Sequence, residues 1–234
     1  SLALFGLRAF AAIRFRHRCA DVLHVGDLAS WPLALAARLG RPTAIVLSAH
    51  GTDITYPRRG TFLGRLYGGY LRLGARLLGK AIVVANSRAT ETEVQSYGFA
   101  RTFVVPLATD FTFQPAKADP TRLLFSGRII PLKGCHTMLK ALNSITYKNR
   151  VKIIGNADQM PSYKKELLEL SRDLNVEFMG LIREKTKLLE IIGNAKFFIF
   201  PSYNENMSIM LLEVASVRTP IICSDIPENK VIFS

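Results

Sequence analysis

The sequence has few cysteines, few acidic residues in its first half, and no apolar run near the roughly 20 residues that a membrane span needs. Its three cysteines, Cys19, Cys135 and Cys223, lack the spacing of a metal site or a redox pair. Such a set argues against a disulfide framework and indicates a reducing compartment, so we expect a cytoplasmic protein. Arg8 interrupts the apolar opening, which predicts a helix there and not a signal peptide. Because the first residue is Ser1 and not Met, we expect the sequence to begin within a longer protein.

The positive charge is concentrated in the first half of the chain. Residues 1–117 hold 15 Lys and Arg against 6 Asp and Glu, a net charge of +9, whereas residues 118–234 hold 16 against 12, a net charge of +4. Thirteen of the first 15 cations are Arg, which suits phosphate groups of lipids, lipid-linked sugars or nucleic acid. A merely soluble basic surface fits the composition equally well. No helix-turn-helix, zinc or RNA-binding motif is present, so no nucleic-acid partner is expected.

Short β-rich apolar runs alternate with helical patterns along the chain. Several runs are continuous in Val, Ile, Leu and Phe, as in strands buried on both faces, and the alternation predicts parallel sheets with crossover helices. The predicted strands are residues 22–25, 43–48, 81–85, 103–106, 122–126, 152–154, 197–201 and 220–223. The predicted helices are residues 31–38, 61–78, 87–97, 136–142, 163–174, 185–194 and 207–216.

A linker is predicted near residues 111–121, where the run FTFQPAKADP has two prolines and no periodic pattern. The expected fold is therefore α/β, with two Rossmann-like, doubly wound domains that face each other across a cleft. We place the domains at residues 1–115 and 116–234.

Two glutamates follow the predicted strand 197–201. Glu205 precedes the helix predicted from Met207, and Glu213 is placed about two turns inside it, so that eight helical residues separate the carboxylates by about 12 Å. A helix N-terminus at the carboxyl end of a parallel strand suits a phosphate group, with one carboxylate on each side to accept hydroxyl hydrogen bonds. In the alternative interpretation, Glu205 caps the helix and Glu213 is a solvated surface residue.

Two further loops follow predicted strands. Gly127, Arg128 and Lys133 follow the strand 122–126, and their cations suit a diphosphate, although a basic surface turn has the same composition. His50 and Asp53 follow the strand 43–48, where a lone His is commonly structural and Asp53 suits either a cap or a hydroxyl acceptor.

These motifs resemble glycosyltransferase family 4, which has the GT-B fold, and the resemblance covers nearly the whole chain. The residues that carry it are Pro201, Ser202, Glu205, Leu212, Glu213, Pro220, Ser224 and Asp225, together with Gly127, Arg128, Lys133 and Gly134. Two departures concern glycines that are usual in the family: Asn206 and Ser208 follow the first Glu, and Arg218 follows the helix. The resemblance also implies that both domains are incomplete, the first lacking its first strands and the second its last helices.

The resemblance implies a role for each candidate residue. Glu205 contacts donor-sugar hydroxyls, Glu213 contacts the ribose, and His50 lies near the anomeric carbon. The base lies near residues 178–181. The other donor-binding residues are Gly127, Gly180, Asn206, Met207, Ser208 and Leu212, the last three through backbone amides. The residues implied on the acceptor side are Asp53, Ser87 and Arg88. For Ser87, a role as helix cap is at least as good an explanation.

The reaction implied by the resemblance is hexosyl transfer from a UDP- or GDP-sugar to a glycan or lipid-linked acceptor, with retention at the anomeric carbon. Arg128, Lys133 and the helix N-terminus stabilise the departing diphosphate, so neither a metal nor another cofactor is expected. The implied setting is cell-surface polysaccharide assembly. A non-catalytic nucleotide-sugar-binding protein and a sugar-nucleotide epimerase or phosphorylase of similar fold are the alternatives.

The predicted helix 61–78 carries Arg65, Arg72 and Arg76 beside several large apolar residues. Such a helix suits an anionic membrane surface, which would make the protein peripheral on the inner face of the plasma membrane. An ordinary amphipathic helix that packs on the sheet with a solvated Arg face is the alternative.

Overall fold

The computed structural model describes residues 2–16, 20–38, 43–51, 54, 56–109, 119–205 and 207–233. The chain forms two compact units, Ser1–Pro106 and Leu107–Ser234. Residues 110–118, which include the predicted domain boundary at 115, lie outside the described residues. In the described part of the chain, no helix is long and apolar enough to cross a membrane.

The first unit alternates helices with four strands. Its strands are β1 (Val22–Val25), β2 (Ala44–Ala49), β3 (Ile82–Ala85) and β4 (Thr102–Val104). Its helices are α1 (Leu2–Ala11), which continues in a π-helical turn (Ala12–Arg16), α2 (Trp31–Arg38), α3 (Phe62–Leu77), preceded by a 3₁₀ turn (Tyr56–Arg59), and α4 (Arg88–Ser96).

The four strands of the first unit pair in parallel in the order β1-β2-β3-β4. Because this order never reverses and crossovers are right-handed, the connecting helices α2, α3 and α4 lie on one face of the described sheet. Ile45, Leu47 and Val83 point to that face and share a single core with Trp31 and Leu71.

The second unit has five strands and five helices in its described residues. Its strands are β5 (Asp119–Ser126), β6 (Val151–Ile154), β7 (Val176–Gly180), β8 (Ala195–Phe200) and β9 (Ile221–Cys223). Its helices are α5 (Cys135–Ser144), preceded by a 3₁₀ turn (Pro131–Lys133), α6 (Pro161–Leu170), α7 (Lys185–Gly193), α8 (Ile209–Ser216) and α9 (Pro227–Phe233).

The second sheet is doubly wound. Its strands are all parallel in the order β7-β6-β5-β8-β9, so the direction of winding reverses between β5 and β8. Leu123 and Phe125 pack in one core with α5 and α6, whereas Leu124, between them, packs in a second core with α7 and α8. The continuous apolar run in β5 is therefore explained by burial on both faces.

All eight predicted strands are present, with ends shifted by a few residues, but two local predictions are wrong. Residues 176–180, expected as a loop, form the edge strand β7, in which Val176, Glu177, Phe178 and Met179 are half-buried. Helix α8 begins at Ile209 and not at Met207, because its cap lies at residue 208. Glu213 is thus only about one turn inside the helix, and the 12 Å separation from Glu205 does not follow.

Candidate functional site

The predicted donor loops meet at the reversal point of the second sheet. The loop after β5 carries Arg128 and Lys133, and the loop after β8 carries Glu205. The carboxyl ends of two neighbouring strands whose crossovers diverge leave a crevice between their loops, which is where open α/β sheets bind ligands.

Gly134 makes the contact between these two loops possible. Its φ of 70° is left-handed, and a Cβ at this position would lie 2.0 Å from the carbonyl oxygen of Pro201. Next to it, the amide of Tyr203 donates to the carbonyl of Leu132 at 3.0 Å. The backbones of the two loops are thus in direct contact, as only a glycine at position 134 allows.

This backbone contact brings the two predicted catalytic charges together. Nζ of Lys133 lies 2.5 Å from Oε1 of Glu205, and the side chains are only 14% and 9% exposed. An ammonium has three donors and a carboxylate about four acceptor positions, so each group keeps capacity for a ligand. Arg128, in contrast, is exposed, and within residues 119–205 and 207–233 it has no carboxylate partner.

A second set of contacts, which the sequence did not predict, ties the same loops through aromatic side chains. The hydroxyl of Tyr203 lies 2.6 Å from Oγ1 of Thr137 and 3.3 Å from Nε2 of His136. The Tyr203 ring also stacks on the His136 ring. Nδ1 of His136 lies 2.8 Å from the hydroxyl of Tyr163, and burial raises the pKa of Tyr163 to about 12. The start of α5 is therefore joined to both the β8 loop and α6.

Ser208 organises the start of α8. Its hydroxyl caps the helix by accepting from the amide of Leu211, while its carbonyl accepts from the amides of Leu211 and Leu212 at 3.1 and 3.3 Å. The Leu212 amide is therefore used within the helix, and its predicted contact with the donor stays a prediction. By the general rule for helix starts, the amides of Ile209 and Met210 are the donors without an intrahelical acceptor. The thioether of Met207 accepts from the amide of Leu107.

Glu213 is buried, which excludes the alternative of a solvated helix residue. Its carboxylate pairs with Nζ of Lys185, the first residue of α7, whose side chain is about half-exposed. Sequence reasoning missed Lys185, because only the fold brings the start of α7 beside α8. A buried carboxylate without a partner destabilises the folded state, so the ion pair with Lys185 is what stabilises Glu213 in its buried position.

A cavity of about 480 Å³ opens at the carboxyl ends of β6 and β7. It is lined by Gly155, Asn156, Ala157, Asp158, Lys164, Leu168, Phe178, Gly180, Leu181 and Arg183. Gly155 also touches the β5 loop, since a Cβ there would lie 2.1 Å from the carbonyl oxygen of Gly127. The cavity, the Gly127 loop and the Lys133–Glu205 pair thus follow one another along the same edge of the sheet.

The candidate residues of the first unit follow β2 and β3. His50 comes directly after β2 and is exposed. Ser87 is buried and caps α4, accepting from the amide of Thr90 at 3.1 Å, as the capping interpretation predicted. Arg88 is exposed and pairs with Glu91 at 3.1 Å. The catalytic role of His50 and the acceptor-side roles of Ser87 and Arg88 stay predictions.

Three further findings concern the remaining predictions. Asp53 and Asn206 lie outside the described residues. Arg218, which stands where the family usually has Gly, has a left-handed φ of 59°, so the side chain there costs on the order of 1 kcal/mol. In the described residues, no group of three His, Cys, Asp or Glu is arranged to hold a metal ion.

Comparison with known proteins identifies the family and the fold. The family model described as glycosyl transferases group 1 matches residues 108–234, and the model described as glycosyltransferase family 4 matches residues 2–113. The chain is 26% identical over 133 residues to a D-inositol 3-phosphate glycosyltransferase of Xylanimonas cellulosilytica, a match that covers 53% of this chain and 32% of the relative. It is 21% identical over 197 residues to TuaC of Bacillus subtilis, a glycosyltransferase named for teichuronic acid biosynthesis, with 77% and 46% covered.

Among solved structures, the crystal structure of Anabaena HepE in complex with UDP-glucose superposes with a TM-score of 0.74 at 17% identity, covering 95% of this chain and 64% of HepE. The matched part of the chain spans less than half the length of each of these two curated relatives. One family model matches more than half of the chain, and the other matches most of the rest. The fold agrees with that of the solved HepE structure. The chain therefore belongs to glycosyltransferase family 4, the glycosyl transferases group 1, and has the α/β architecture of the GT-B fold.

Proposed function

We propose that this chain contains the donor-binding part of a retaining glycosyltransferase that moves a hexose from a nucleotide sugar to a glycan or lipid-linked acceptor. The observation that carries the proposal is the nearly buried Lys133–Glu205 pair at the reversal point of the second sheet. It puts a phosphate-binding cation and a hydroxyl-binding carboxylate side by side, as a sugar diphosphate requires.

The order of groups along the sheet edge matches the order of groups in a nucleotide sugar. The cavity at β6 and β7 takes the base, and Glu213, held by Lys185, accepts from the ribose hydroxyls. The diphosphate lies against Lys133, Arg128 and the first amides of α8. Glu205 then accepts from hydroxyls of the sugar.

Catalysis comes mainly from stabilising the charge that develops on the departing diphosphate. Lys133 and Arg128 are positive, and the start of α8 adds the positive end of its dipole. As the bond to the anomeric carbon breaks, the acceptor hydroxyl attacks from the face that the diphosphate leaves, and a diphosphate oxygen takes its proton. This route needs neither a protein base nor a metal ion, because the cations carry the charge.

A UDP-sugar is the first donor to test, because HepE, which has the same fold, was solved with UDP-glucose. The two curated relatives are named for an inositol phosphate acceptor and for teichuronic acid biosynthesis. Both names support a hydroxyl-bearing glycan or phosphorylated acceptor and a role in cell-surface polysaccharide assembly.

The test measures binding of UDP and UDP-glucose to the full chain by calorimetry, with GDP and ADP and their sugars as comparisons. Glu213→Gln should weaken UDP and UDP-glucose alike, by roughly 10- to 100-fold, because it removes a charged hydrogen-bond acceptor worth about 1.5–3 kcal/mol. Glu205→Gln should weaken UDP-glucose more than UDP. Glu166→Gln, an exposed carboxylate on α6, is the matched control and should change neither.

Product analysis with a radiolabelled nucleotide sugar separates the alternatives. Transfer gives a labelled acceptor and free nucleoside diphosphate, an epimerase gives an altered nucleotide sugar, and a binding protein returns the donor unchanged. Failure of every nucleotide sugar to bind would overturn the proposal, and so would equal effects of Glu213→Gln and Glu205→Gln on both ligands.

A further inference from the structure

Helix α3 packs through the side that carries its small residues, on the preceding 3₁₀ turn at Gly64 and Gly68 and on the core of the first sheet at Leu71 and Ala75. Gly64, Gly68, Leu71 and Ala75 are buried and lie on one stripe of the helix. Thr61 caps its start by accepting from the Gly64 amide at 3.0 Å. These contacts fix the helix by one face and leave its larger side chains on the opposite face.

The aromatic side chains of α3 add a second attachment. Tyr70 contacts the Trp31 ring at 5.1 Å between centroids and donates its hydroxyl to the carbonyl of Ala29. Tyr67 stacks on Tyr70 at 5.7 Å. The helix is thus held without help from its outward residues, and substitutions there should leave the fold intact.

The outward face of α3 has an apolar half and a basic half. The apolar half is exposed to an unusual degree, with Phe62 at 75%, Leu63 at 62% and Leu66 at 56%, and it continues through Leu73 and Leu77. At 100° per residue these five side chains cover one arc, which runs along the whole helix, about 24 Å in length. The helix does pack on the sheet with exposed Arg side chains, as in the alternative of an ordinary amphipathic helix, and it exposes this apolar arc in addition.

The basic half lies beside the apolar half. Arg65, Arg72 and Arg76 are exposed and occupy the neighbouring arc, and the guanidinium of Arg72 lies over the ring of Tyr97 at 5.9 Å. Residues 54–90 hold seven Lys and Arg and no Asp or Glu. Asp27 lies near Tyr70, but its carboxylate accepts from the amide and hydroxyl of Ser30. The positive charge of the outward face is therefore not neutralised by acids on the same segment.

We propose that the outward face of α3 lies in the interface of an anionic lipid bilayer. Phosphate headgroups match the Arg arc, and the acyl boundary matches the arc from Phe62 to Leu77, which is the arrangement of a helix that lies in the membrane plane. A nucleic acid would match the cations and leave the apolar arc in water. The proposal is independent of donor binding, which concerns the second unit.

The experiment is flotation of the full chain with lipid vesicles. One set is phosphatidylcholine alone and the other contains about one-third phosphatidylglycerol. The chain should float with the anionic vesicles and much less with the neutral ones. Raising the salt from about 0.1 M to about 0.5 M should weaken the binding, since it screens exposed charges.

Two double variants separate the halves of the face. Arg65→Gln with Arg76→Gln should lower the partition coefficient by about 25-fold, at about fivefold for each Arg near the surface. Phe62→Ser with Leu66→Ser should lower it at least tenfold, because two large apolar side chains no longer enter the bilayer. The matched controls lie on the second unit and are exposed: Lys165→Gln with Arg172→Gln, and Ile145→Ser. They should float like the parent chain.

Each other outcome overturns the proposal. Equal flotation with neutral and anionic vesicles would show that charge does not contribute to binding. If only the Arg double variant loses flotation, the attachment is electrostatic and the apolar arc does not enter the bilayer. Unchanged flotation of both α3 variants assigns binding to another segment, such as α1. A single-stranded oligonucleotide that binds where vesicles do not, with dependence on Arg65 and Arg76 only, identifies a nucleic-acid surface instead. Circular dichroism of every variant checks the fold.

Discussion

Replacing Gly134 by alanine should separate the two loops that hold Lys133 and Glu205. The added Cβ would lie 2.0 Å from the carbonyl oxygen of Pro201, whereas real Cβ contacts stay above 3.0 Å. The loops must therefore move apart by about 1 Å, an error that can cost an enzyme about 100-fold in rate. The left-handed backbone adds about 1 kcal/mol and the overpacking about 1–3 kcal/mol, a total of about 2–4 kcal/mol.

Gly60→Ala is the matched control for the backbone cost alone. Gly60 has a φ of 67°, close to the 70° of Gly134, and a Cβ there meets nothing within 4 Å. Gly60→Ala should thus cost about 1 kcal/mol, or about 3 °C in melting temperature, against about 6–12 °C for Gly134→Ala. Thermal melts by circular dichroism measure this difference.

Nucleotide binding provides the second measurement for the same pair of variants. At a temperature where both are folded, Gly134→Ala should bind UDP at least tenfold more weakly than the parent chain, a loss of about 1.4 kcal/mol, and Gly60→Ala should bind it normally. Equal melting temperatures of the two variants, or undiminished UDP binding by Gly134→Ala, would refute the argument that contact between the loops positions the donor site.

Two further predictions concern side chains near these loops. Tyr203→Phe removes the hydroxyl that lies between His136 and Thr137, and should weaken UDP-glucose binding about three- to tenfold with no change in circular dichroism. Undiminished binding would show that the bridge is dispensable. Burial raises the pKa of the Cys135 thiol to about 12, so the folded chain keeps this proton as the pH rises above 9 while the unfolded chain loses it. Stability should fall by up to about 1.4 kcal/mol per pH unit from this thiol. Cys135→Ala should therefore flatten urea-denaturation stability between pH 9 and 11 more than Cys223→Ala does, because burial raises the pKa of the Cys223 thiol too but this thiol is only partly buried. Equal slopes for the two variants would contradict this.

The strands were predictable because burial on both faces leaves a continuous apolar run. The run from Phe197 to Phe200 is an example, since no polar residue interrupts it and β8 is an interior strand between β5 and β9. Strand β7 is only half-buried and contains Glu177, so residues 176–180 lack such a run and were expected to be a loop. The edge position alone is not the reason, because the edge strands β4 and β9 are also only partly buried and were predicted from apolar runs without a charged residue.

The start of α8 shows why local patterns do not locate helix ends. Met207 is a good helix residue, yet Ser208 takes an extended backbone and caps the helix with its hydroxyl. Partners from distant segments are harder still to predict. Lys185 lies 28 residues before Glu213, and His136 lies 67 residues before Tyr203, and nothing in the spacing of either pair indicates contact.

Two ion pairs stabilise the nearly buried carboxylates of the second unit. Glu205 and Glu213 are nearly buried, and a buried carboxylate without a partner is strongly destabilising, so the fold depends on their pairing with Lys133 and Lys185. Under the proposed function, a donor would not have to break these pairs. Lys133 has two donors left that phosphate oxygens could accept, and Glu205 has acceptor positions left for sugar hydroxyls. The proposed mechanism therefore starts from charges that the fold already holds in place, so that little reorganisation is needed when negative charge grows on the diphosphate. This is the condition under which fixed charges accelerate a reaction most.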